Sequence, residues 1–298
     1  MYEKWKGVHT RCAFNMIQEL IPLTRPRTLA AALGPTILGA AFSYYAFGAA
    51  QGTGLAILHT VLIFLAVVTA QIVANLWNEY KDFKSGLDAG QKVGNAGSIT
   101  RGVITPELII TMIKVLMFVP IIIGLYLSAT ITWYYIPVGF LCILISFLYS
   151  GGPKPISRTP FGEISSGIAM GFAIVLITGY AWIRELSLAL LIPAIPSTLL
   201  VGSIMLTNNI RDIRNDESHG RHTLPIVLGR ERALSLMSIS YIFNFIWIIA
   251  WIIVGHMTWF ALLAFLAAPL AFKTIHTLST NTDEFQLCLL YTSPSPRD

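Results

Sequence analysis

Charged residues are scarce in this sequence, and their scarcity decides the class of protein. Of its 298 residues only 12% are charged, whereas 55% are hydrophobic. Between Thr28 and Asn78 there is no Asp, Glu, Lys or Arg at all. Apolar runs of about 20 residues are long enough to cross a bilayer as helices. The composition therefore predicts an all-α fold, a polytopic transmembrane helical bundle.

Cysteine is also sparse, and its spacing gives no sign of a metal site, a redox motif or a set of disulfides. The three cysteines, Cys12, Cys142 and Cys288, show neither metal-binding nor redox spacing and offer no disulfide framework. His219 and His222 have no Cys or third His nearby, so we interpret them as loop residues and not as ligands of a transition metal.

Eight apolar runs are visible, and the Lys and Arg residues between them alternate. The runs cover residues 28–49, 55–77, 106–129, 131–149, 161–183, 186–210, 233–255 and 257–271. Lys and Arg are concentrated in the N-terminus and in the connections after runs two, four and six, whereas the connection after run five has only Arg184 beside Glu185 and the others have none. By the positive-inside rule, this predicts a multi-pass protein of the cell membrane with a cytoplasmic N-terminus.

Three segments follow from these boundaries. Residues 1–24 are predicted to form an amphipathic cytoplasmic segment on the membrane surface, and residues 25–287 the transmembrane domain. Residues 288–298 resemble a translated sequencing adaptor, in which case the natural protein continues beyond Leu287 and a last helix is missing. The rival interpretation is a genuine Pro-rich tail.

Polar side chains interrupt the end of the second apolar run, in what we call the first polar stretch (residues 75–88). On a helix, one stripe would contain Gln71, Asn75, Asn78 and Asp82. Asp88 follows just beyond Gly86. Oxygen ligands along one face suit a hard divalent cation, and we expect them on the cytoplasmic side.

The sixth run ends in the same way, in the second polar stretch (residues 208–216). Asn208, Asp212 and Asp216 are again four residues apart and would face one way. One such pattern is usually a solvated helix end. Two patterns at matched positions in two halves instead indicate a site shared between the halves.

Carboxylates on two helices can hold Mg²⁺, which keeps open positions for phosphate oxygens. Basic residues near both stretches can neutralise a diphosphate. They are Arg27, Lys84, Lys92, Arg101, Arg211, Arg214 and Arg221. A diphosphate site beside a lipid-accessible cavity suggests a prenyl diphosphate, whose chain gains about 0.8 kcal/mol for each CH₂ removed from water.

These motifs resemble those of a known family. Asn78-x3-Asp82-x5-Asp88 and residues 208–216, followed by Gly-Arg-His-Thr-Leu at 220–224, are similar to the two aspartate-rich motifs of the UbiA superfamily of membrane prenyltransferases. Residues 25–29, 151–156 and Gly162-Glu163 resemble the MenA branch, which prenylates 1,4-dihydroxy-2-naphthoate. The resemblance covers nearly all of residues 25–272.

The resemblance implies a fold of nine transmembrane helices, of which eight are visible here, in two four-helix halves around a central cavity. It also implies how the site residues are shared out. Metal ligands would be Asn78, Asp82, Asp88, Asn208, Asp212 and Asp216. Diphosphate contacts would be Arg27, Arg101 and Arg211, to which we add Lys84, Lys92 and Arg221 for their charge near the motifs. We expect the catalytic residues to be Asp82, Arg211, Asp212, Asp216 and Tyr149. Glu79 stands where many relatives have Asp.

The expected reaction is Mg²⁺-dependent transfer of a polyprenyl group from polyprenyl diphosphate to an aromatic acceptor. In the MenA branch the acceptor is 1,4-dihydroxy-2-naphthoate, which loses CO₂ to give demethylmenaquinone. Tyr149 would stabilise an allylic cation with its ring face, although a Tyr at a helix end is also a common interfacial anchor. The expected partners are both substrates and the lipid bilayer, with no nucleic acid.

Three alternatives stay open. The first is prenylation of 4-hydroxybenzoate or another aromatic acceptor. A secondary transporter could also have intramembrane carboxylates, but both polar stretches lie near one surface. A CDP-alcohol phosphotransferase would need an Asp-Gly-x2-Ala-Arg type run, which is absent.

Overall fold

The computed structural model describes residues 20–86, 98–100, 102 and 104–280, except the side chains of Arg27 and Ala30. None of these described residues lies in a β-strand. The helices are α1 Ala30–Phe47, α2 Thr53–Ser85, α3 Pro106–Thr130, α4 Tyr135–Ser150, α5 Gly162–Ile183, α6 Leu191–Arg211, α7 Ile213–Ser218, α8 Leu224–Leu228, α9 Arg230–Ile253 and α10 Ala268–Thr280. The predicted all-α class is therefore confirmed.

Six segments are long and apolar enough to cross a membrane. They are Thr53–Ser85, Pro106–Thr130, Gly162–Ile183, Leu188–Arg211, Arg230–Ile253 and Trp259–Thr280. Large apolar side chains are exposed on these segments, such as Ile122 at 63% and Leu266 at 78%, as expected of surfaces that contact lipid. The remaining two predicted spans are the 18-residue α1 and the 16-residue α4, so a count of eight or nine is not confirmed.

Local sequence signals set several helix ends. Pro106 opens α3 directly after Thr105, whose Oγ1 accepts a hydrogen bond from the Leu108 backbone N–H at 3.3 Å. At the other end of a span, Arg184 takes a left-handed conformation with φ 61° and ends α5. Within α5, the turn Gly167–Phe172 is π-helical.

The chain divides into two compact units, each with its own core. The first unit comprises residues 1–30 and 64–151. Its core contains Val73 and Leu76 from α2 and Ile109 and Ile113 from α3, all buried. Because these residues are three and four apart, each helix presents one apolar face to the other.

The second unit comprises residues 31–63 and 152–298. A Cβ added to Gly39 of α1 would lie 2.8 Å from the Val175 carbonyl oxygen, so α1 and α5 are in close contact there. The Trp182 indole also donates to Thr60 Oγ1 at 2.8 Å. The expected two four-helix halves are therefore not confirmed, because α1 from residue 31 and the part of α2 up to residue 63 belong to the second unit.

Candidate functional site

The first polar stretch lies on a single long helix, as the spacing predicts. All four stripe residues belong to α2. However, Gln71 Nε2 donates to the Thr28 carbonyl at 2.7 Å, and Asn75 Nδ2 donates to the Thr24 carbonyl at 3.0 Å. These two amides hold the segment before α1 against α2, which explains why polar residues occur this deep in an apolar helix.

Asn78 is held from the end of α4. Its Oδ1 accepts a hydrogen bond from the Ser150 hydroxyl, within the first unit. Tyr149, the residue predicted to stabilise a cation, directly precedes Ser150 and is half-buried. The end of α4 that contains Tyr149 therefore contacts Asn78 through Ser150. The Trp77 indole donates to the Phe147 carbonyl at 3.0 Å and fixes the same helix end to α2.

Asp82 is half-buried in the last turns of α2 and is flanked by two lysines. The Lys81 Nζ lies 5.3 Å from the Trp77 ring centroid, and the Lys84 Nζ lies 5.2 Å from the Tyr80 centroid. A cation over an aromatic face is weakly held at an exposed site. Lys84 lies on an exposed part of α2, two residues beyond Asp82.

Glu79 has a structural contact that explains the acid at this position. Its side chain is only 2% exposed, and Oε1 accepts a hydrogen bond from the Ser98 backbone N–H at 2.9 Å. Ser98 follows the segment 87–97, whose structure is outside the described residues. Glu79 therefore anchors the returning chain to α2.

The second polar stretch crosses a helix break without losing its register. α6 ends at Arg211 and α7 begins at Ile213. The Asp212 N–H nevertheless donates to the Asn208 carbonyl at 3.0 Å, and the Asp216 N–H donates to the Asp212 carbonyl at 2.9 Å. Because these bonds join residues four apart, the predicted common face of the three residues is present in the backbone.

Each carboxylate of the second stretch is paired with an arginine. Arg211 binds Asp212 through two parallel bonds, Nε to Oδ1 at 2.6 Å and Nη2 to Oδ2 at 2.7 Å. Asp216 is 3% exposed, and its Oδ1 lies 3.2 Å from Arg221 Nη1. These are charge-assisted contacts, which are stronger than neutral hydrogen bonds.

Arg221 reaches Asp216 because the loop turns back sharply. Gly220 has φ 68°, a conformation that favours glycine, and the Arg221 N–H donates to the Asp216 carbonyl at 3.0 Å. The next N–H, of His222, donates to the Arg158 carbonyl at 3.0 Å. The loop is therefore fixed at both its ends.

Basic side chains also line a cavity of about 220 Å³ beside the second stretch. Its lining residues are Arg211, Ile213, Arg214, Glu217, Pro225, Ile226, Gly229 and Arg230. Arg230 is oriented by the Ile210 and Leu278 carbonyls, at 3.3 and 2.6 Å. The second stretch thus combines acidic side chains with a basic surrounding.

The donor atoms suit Mg²⁺. The part of the chain that the structure describes contains no group of three or more His, Cys, Asp or Glu residues placed to hold a metal. Mg²⁺ does not need one, because it is commonly bound by one or two carboxylates with the remaining positions taken by water and phosphate oxygens. Asp212 with Asp216, and Asp82 with Asn78, are donor sets of this kind.

Three of the predicted site residues, and the side chain of a fourth, lie outside the described residues. Asp88, Lys92 and Arg101 are outside the described residues, and so is the Arg27 side chain. Asn208 is half-buried on the last turn of α6. The roles proposed for these residues therefore stay predictions.

One buried acid was missed as a site residue by the sequence reasoning. Glu163, at the start of α5, is 4% exposed, and its Oε1 accepts a hydrogen bond from Asn209 Nδ2 at 2.8 Å. Asn209 directly follows the predicted ligand Asn208. The pair Asn208-Asn209 was the available signal in the sequence. If Asn208 binds the metal, the neighbouring Asn209 amide needs a hydrogen-bond partner elsewhere, and that partner is Glu163.

Comparison with known proteins places these features in a family. The UbiA prenyltransferase family model matches residues 32–286. A 1,4-dihydroxy-2-naphthoate octaprenyltransferase of Bacillus subtilis is 36% identical over 259 residues, which are 86% of this chain and 80% of the relative. The protein of the same name from Mycobacterium tuberculosis is 30% identical over 256 residues, covering 84% and 82%.

Solved structures show the same fold. A UbiA homolog from Aeropyrum pernix superposes with a TM-score of 0.66 at 19% identity, covering 89% of this chain and 94% of that one. A UbiA homolog from Archaeoglobus fulgidus, bound to DMAPP and Mg²⁺, has a TM-score of 0.61 at 16% identity and covers 94% and 89%.

Proposed function

Because the chain belongs to the UbiA prenyltransferase family and is a multi-pass membrane prenyltransferase, we propose that it transfers a polyprenyl group to 1,4-dihydroxy-2-naphthoate with the help of Mg²⁺. The acceptor is taken from the two relatives that carry this name, which the alignment covers over 80% and 82% of their own length. Mg²⁺ is supported by the Archaeoglobus homolog, which binds it together with DMAPP.

The observation that carries the proposal is the second polar stretch. Asp212 and Asp216 share one face, and both are paired with arginines that can turn to a phosphate when it binds. In a complex of Mg²⁺ and diphosphate, the carboxylates can bind the metal and the neighbouring arginines can bind the phosphate oxygens. A solvated helix end would not bury Asp216 to 3% exposure.

We assign the remaining roles on the same basis. The Mg²⁺ ligands are Asn78, Asp82, Asp88, Asn208, Asp212 and Asp216. The cations that bind the diphosphate are Arg27, Lys84, Lys92, Arg101, Arg211 and Arg221. When bound, Mg²⁺ supplies positive charge that favours departure of the diphosphate.

The chain's own residues then guide the reaction. Arginines beside the leaving group stabilise its growing negative charge, so the allylic C–O bond breaks. The Tyr149 ring stabilises the allylic cation by its face. The electron-rich naphthoate ring attacks this cation at the carbon that bears the carboxylate, and loss of CO₂ restores the aromatic ring. The product of these steps is the hydroquinone form of demethylmenaquinone, released together with CO₂ and diphosphate.

We further propose that this site faces the cytoplasm and that the protein lies in the cell membrane. Lys and Arg are concentrated in the connections next to both polar stretches, which the positive-inside rule assigns to the cytoplasm. Soluble Mg²⁺ and charged substrates are available on that side.

The test is a transfer assay in membranes that contain the protein. Labelled polyprenyl diphosphate is supplied with 1,4-dihydroxy-2-naphthoate or with 4-hydroxybenzoate, with Mg²⁺ or with EDTA. The proposal predicts a prenylated, decarboxylated product from the naphthoate only, and none in EDTA. Product from 4-hydroxybenzoate alone would contradict the acceptor, and full activity in EDTA would contradict the metal.

A further inference from the structure

The second unit holds α5 and α6 together through backbone contacts that leave no room for side chains. A Cβ added to Gly167 would lie 2.6 Å from the Thr198 carbonyl oxygen, and one added to Gly171 would lie 2.6 Å from the Ser197 carbonyl oxygen. Distances this short cannot be accommodated without moving backbone. The position of α5 along α6 is therefore fixed.

This contact coincides with the π-helical turn Gly167–Phe172. A π-helical turn inside an α-helix adds a residue to that turn, and such turns are common at functional sites. It changes the direction of the residues that precede it, which include Glu163. The Glu163 carbonyl in turn lies against α6, since a Cβ on Gly202 would be 3.3 Å from its oxygen.

Gly202 and Asn209 are two turns apart on α6, about 10 Å at 1.5 Å per residue. The Glu163 side chain points along α6 from the Gly202 end toward the Asn209 side chain. Its Oε1 accepts the bond from Asn209 Nδ2 at 2.8 Å. Its Oε2 is buried and has no hydrogen-bond partner among the described residues. Burying a carboxyl with so few partners opposes folding.

A position in the first turn of a helix favours an acidic residue, which is the structural explanation for Glu163. That explanation holds equally for an acid that points to solvent. It does not account for a carboxyl buried to 4% exposure and directed at one amide of the second polar stretch. The contact with Asn209 is the feature that needs a reason.

Resting on the proposed function, we propose that Glu163 is a positioning residue for the diphosphate site. By holding the Asn209 amide, it fixes the last turn of α6, on which Asn208 precedes Asn209 and Asp212 follows three residues later. Glu163 does not touch the substrate. Its contribution is to the affinity for Mg²⁺ and polyprenyl diphosphate, and the aromatic acceptor is bound independently of it.

The contact can be broken and rebuilt with its donor and acceptor exchanged. Asn209→Asp brings two carboxyl groups together and removes the amide donor of this contact. Adding Glu163→Gln to this variant restores it, because the Gln amide can donate to the new Asp. Glu163→Leu removes the acceptor altogether, whereas Glu163→Gln alone keeps an acceptor oxygen for Asn209.

In membranes containing the full chain, we expect Glu163→Leu and Asn209→Asp to raise the KM for polyprenyl diphosphate and the half-activating Mg²⁺ concentration by about tenfold or more, as partners of ligand-bearing residues generally do. The KM for 1,4-dihydroxy-2-naphthoate should change by less than about twofold on this account. The paired variant Glu163→Gln with Asn209→Asp should return within about threefold of the unmodified protein, as should Glu163→Gln.

Thr178→Val is the matched control, because Thr178 lies on α5 like Glu163. Its hydroxyl is fully buried and has no hydrogen-bond partner among the described residues. This substitution should leave both KM values unchanged. An equal loss toward both substrates in Glu163→Leu, or no recovery in the paired variant, would overturn the positioning role. If Glu163→Leu does not accumulate in membranes, the comparison of Asn209→Asp with the paired variant decides the question alone.

The unmodified protein separates this inference from the proposed function. If it transfers no prenyl group to any aromatic acceptor, the proposed function fails. If it does and the Glu163 variants match it in both KM values, only the positioning role fails.

Discussion

The two polar stretches have the same pattern, an Asn followed four residues later by an Asp, but their side chains are held by different interactions. In the first stretch Asn75 donates to the Thr24 carbonyl and Asn78 accepts from the Ser150 hydroxyl, both of which are neutral groups. In the second, Asp212 and Asp216 are bound by arginines. A shared pattern therefore does not imply a shared environment.

The difference also concerns the backbone. α2 continues without interruption to Ser85, whereas the second stretch is divided between α6 and α7. On the proposed function, both carboxylates of the second stretch would exchange or share their arginines with a metal-bound diphosphate. We infer that the charge contacts of the second stretch change on binding, whereas the amide contacts of the first stretch are already formed.

The largest expected effect is the loss of a carboxylate from either stretch. Asp82→Asn and Asp212→Asn should each lower kcat/KM for polyprenyl diphosphate by about 100-fold or more, because each removes charge that stabilises the leaving group's complex. Initial rates of labelled prenyl transfer in membranes measure this. Glu185→Gln, at an exposed acid that follows α5, is the control and should retain full activity. A normal rate for either Asp variant would remove that stretch from the site.

The next effect tests the ion pairs of the second stretch. Arg221→Gln leaves Asp216 buried without this cation, and we expect a loss of about 3 kcal/mol in the free energy of unfolding. Unfolding in mixed detergent micelles measures it, with Arg214→Gln as an exposed control from α7. If Arg221→Gln unfolds like the control, the pair between Arg221 and Asp216 does not stabilise the second stretch.

A smaller loss is expected when the corresponding neutral contact of the first stretch is removed. Ser150→Ala deletes the hydroxyl that donates to Asn78 and should cost about 1 kcal/mol in the free energy of unfolding. The same unfolding measurement applies. The contrast between the stretches would disappear if this substitution cost as much as Arg221→Gln.

The smallest effect distinguishes two lysines in similar surroundings. Lys81 and Lys84 each lie over an aromatic ring at 5.3 and 5.2 Å, so Lys81→Met and Lys84→Met should each lose about 0.5 kcal/mol of stability. Only Lys84→Met should raise the KM for polyprenyl diphosphate, by roughly fivefold, through loss of one exposed charge contact. Equal KM values for the two variants would show that Lys84 does not bind the diphosphate.

The sequence alone was sufficient for the class of fold and for the register of both stretches. Apolar runs of this length have few alternatives to membrane helices, and the spacing of four places Asn208, Asp212 and Asp216 on one face even where the helix breaks. Both inferences depend on local geometry, which spacing determines directly.

Contacts between distant segments were beyond this reasoning. Nothing local shows that Gln71 and Asn75 bond to the chain before α1, or that Glu163 reaches Asn209. The grouping of residues 31–63 with the second unit depends likewise on a close approach of Gly39 to α5. Such contacts join residues tens of positions apart, and the helical period gives no information about them.

The most direct test of the account measures binding of a labelled, non-reactive polyprenyl diphosphate analogue in the presence of Mg²⁺. The unmodified protein is compared with Asp82→Asn, with Asp212→Asn and with the variant that carries both substitutions. If both stretches bind one ligand, each single substitution abolishes most of the Mg²⁺-dependent binding and the double variant loses little more. Binding at the unmodified level in either single variant would contradict the claim.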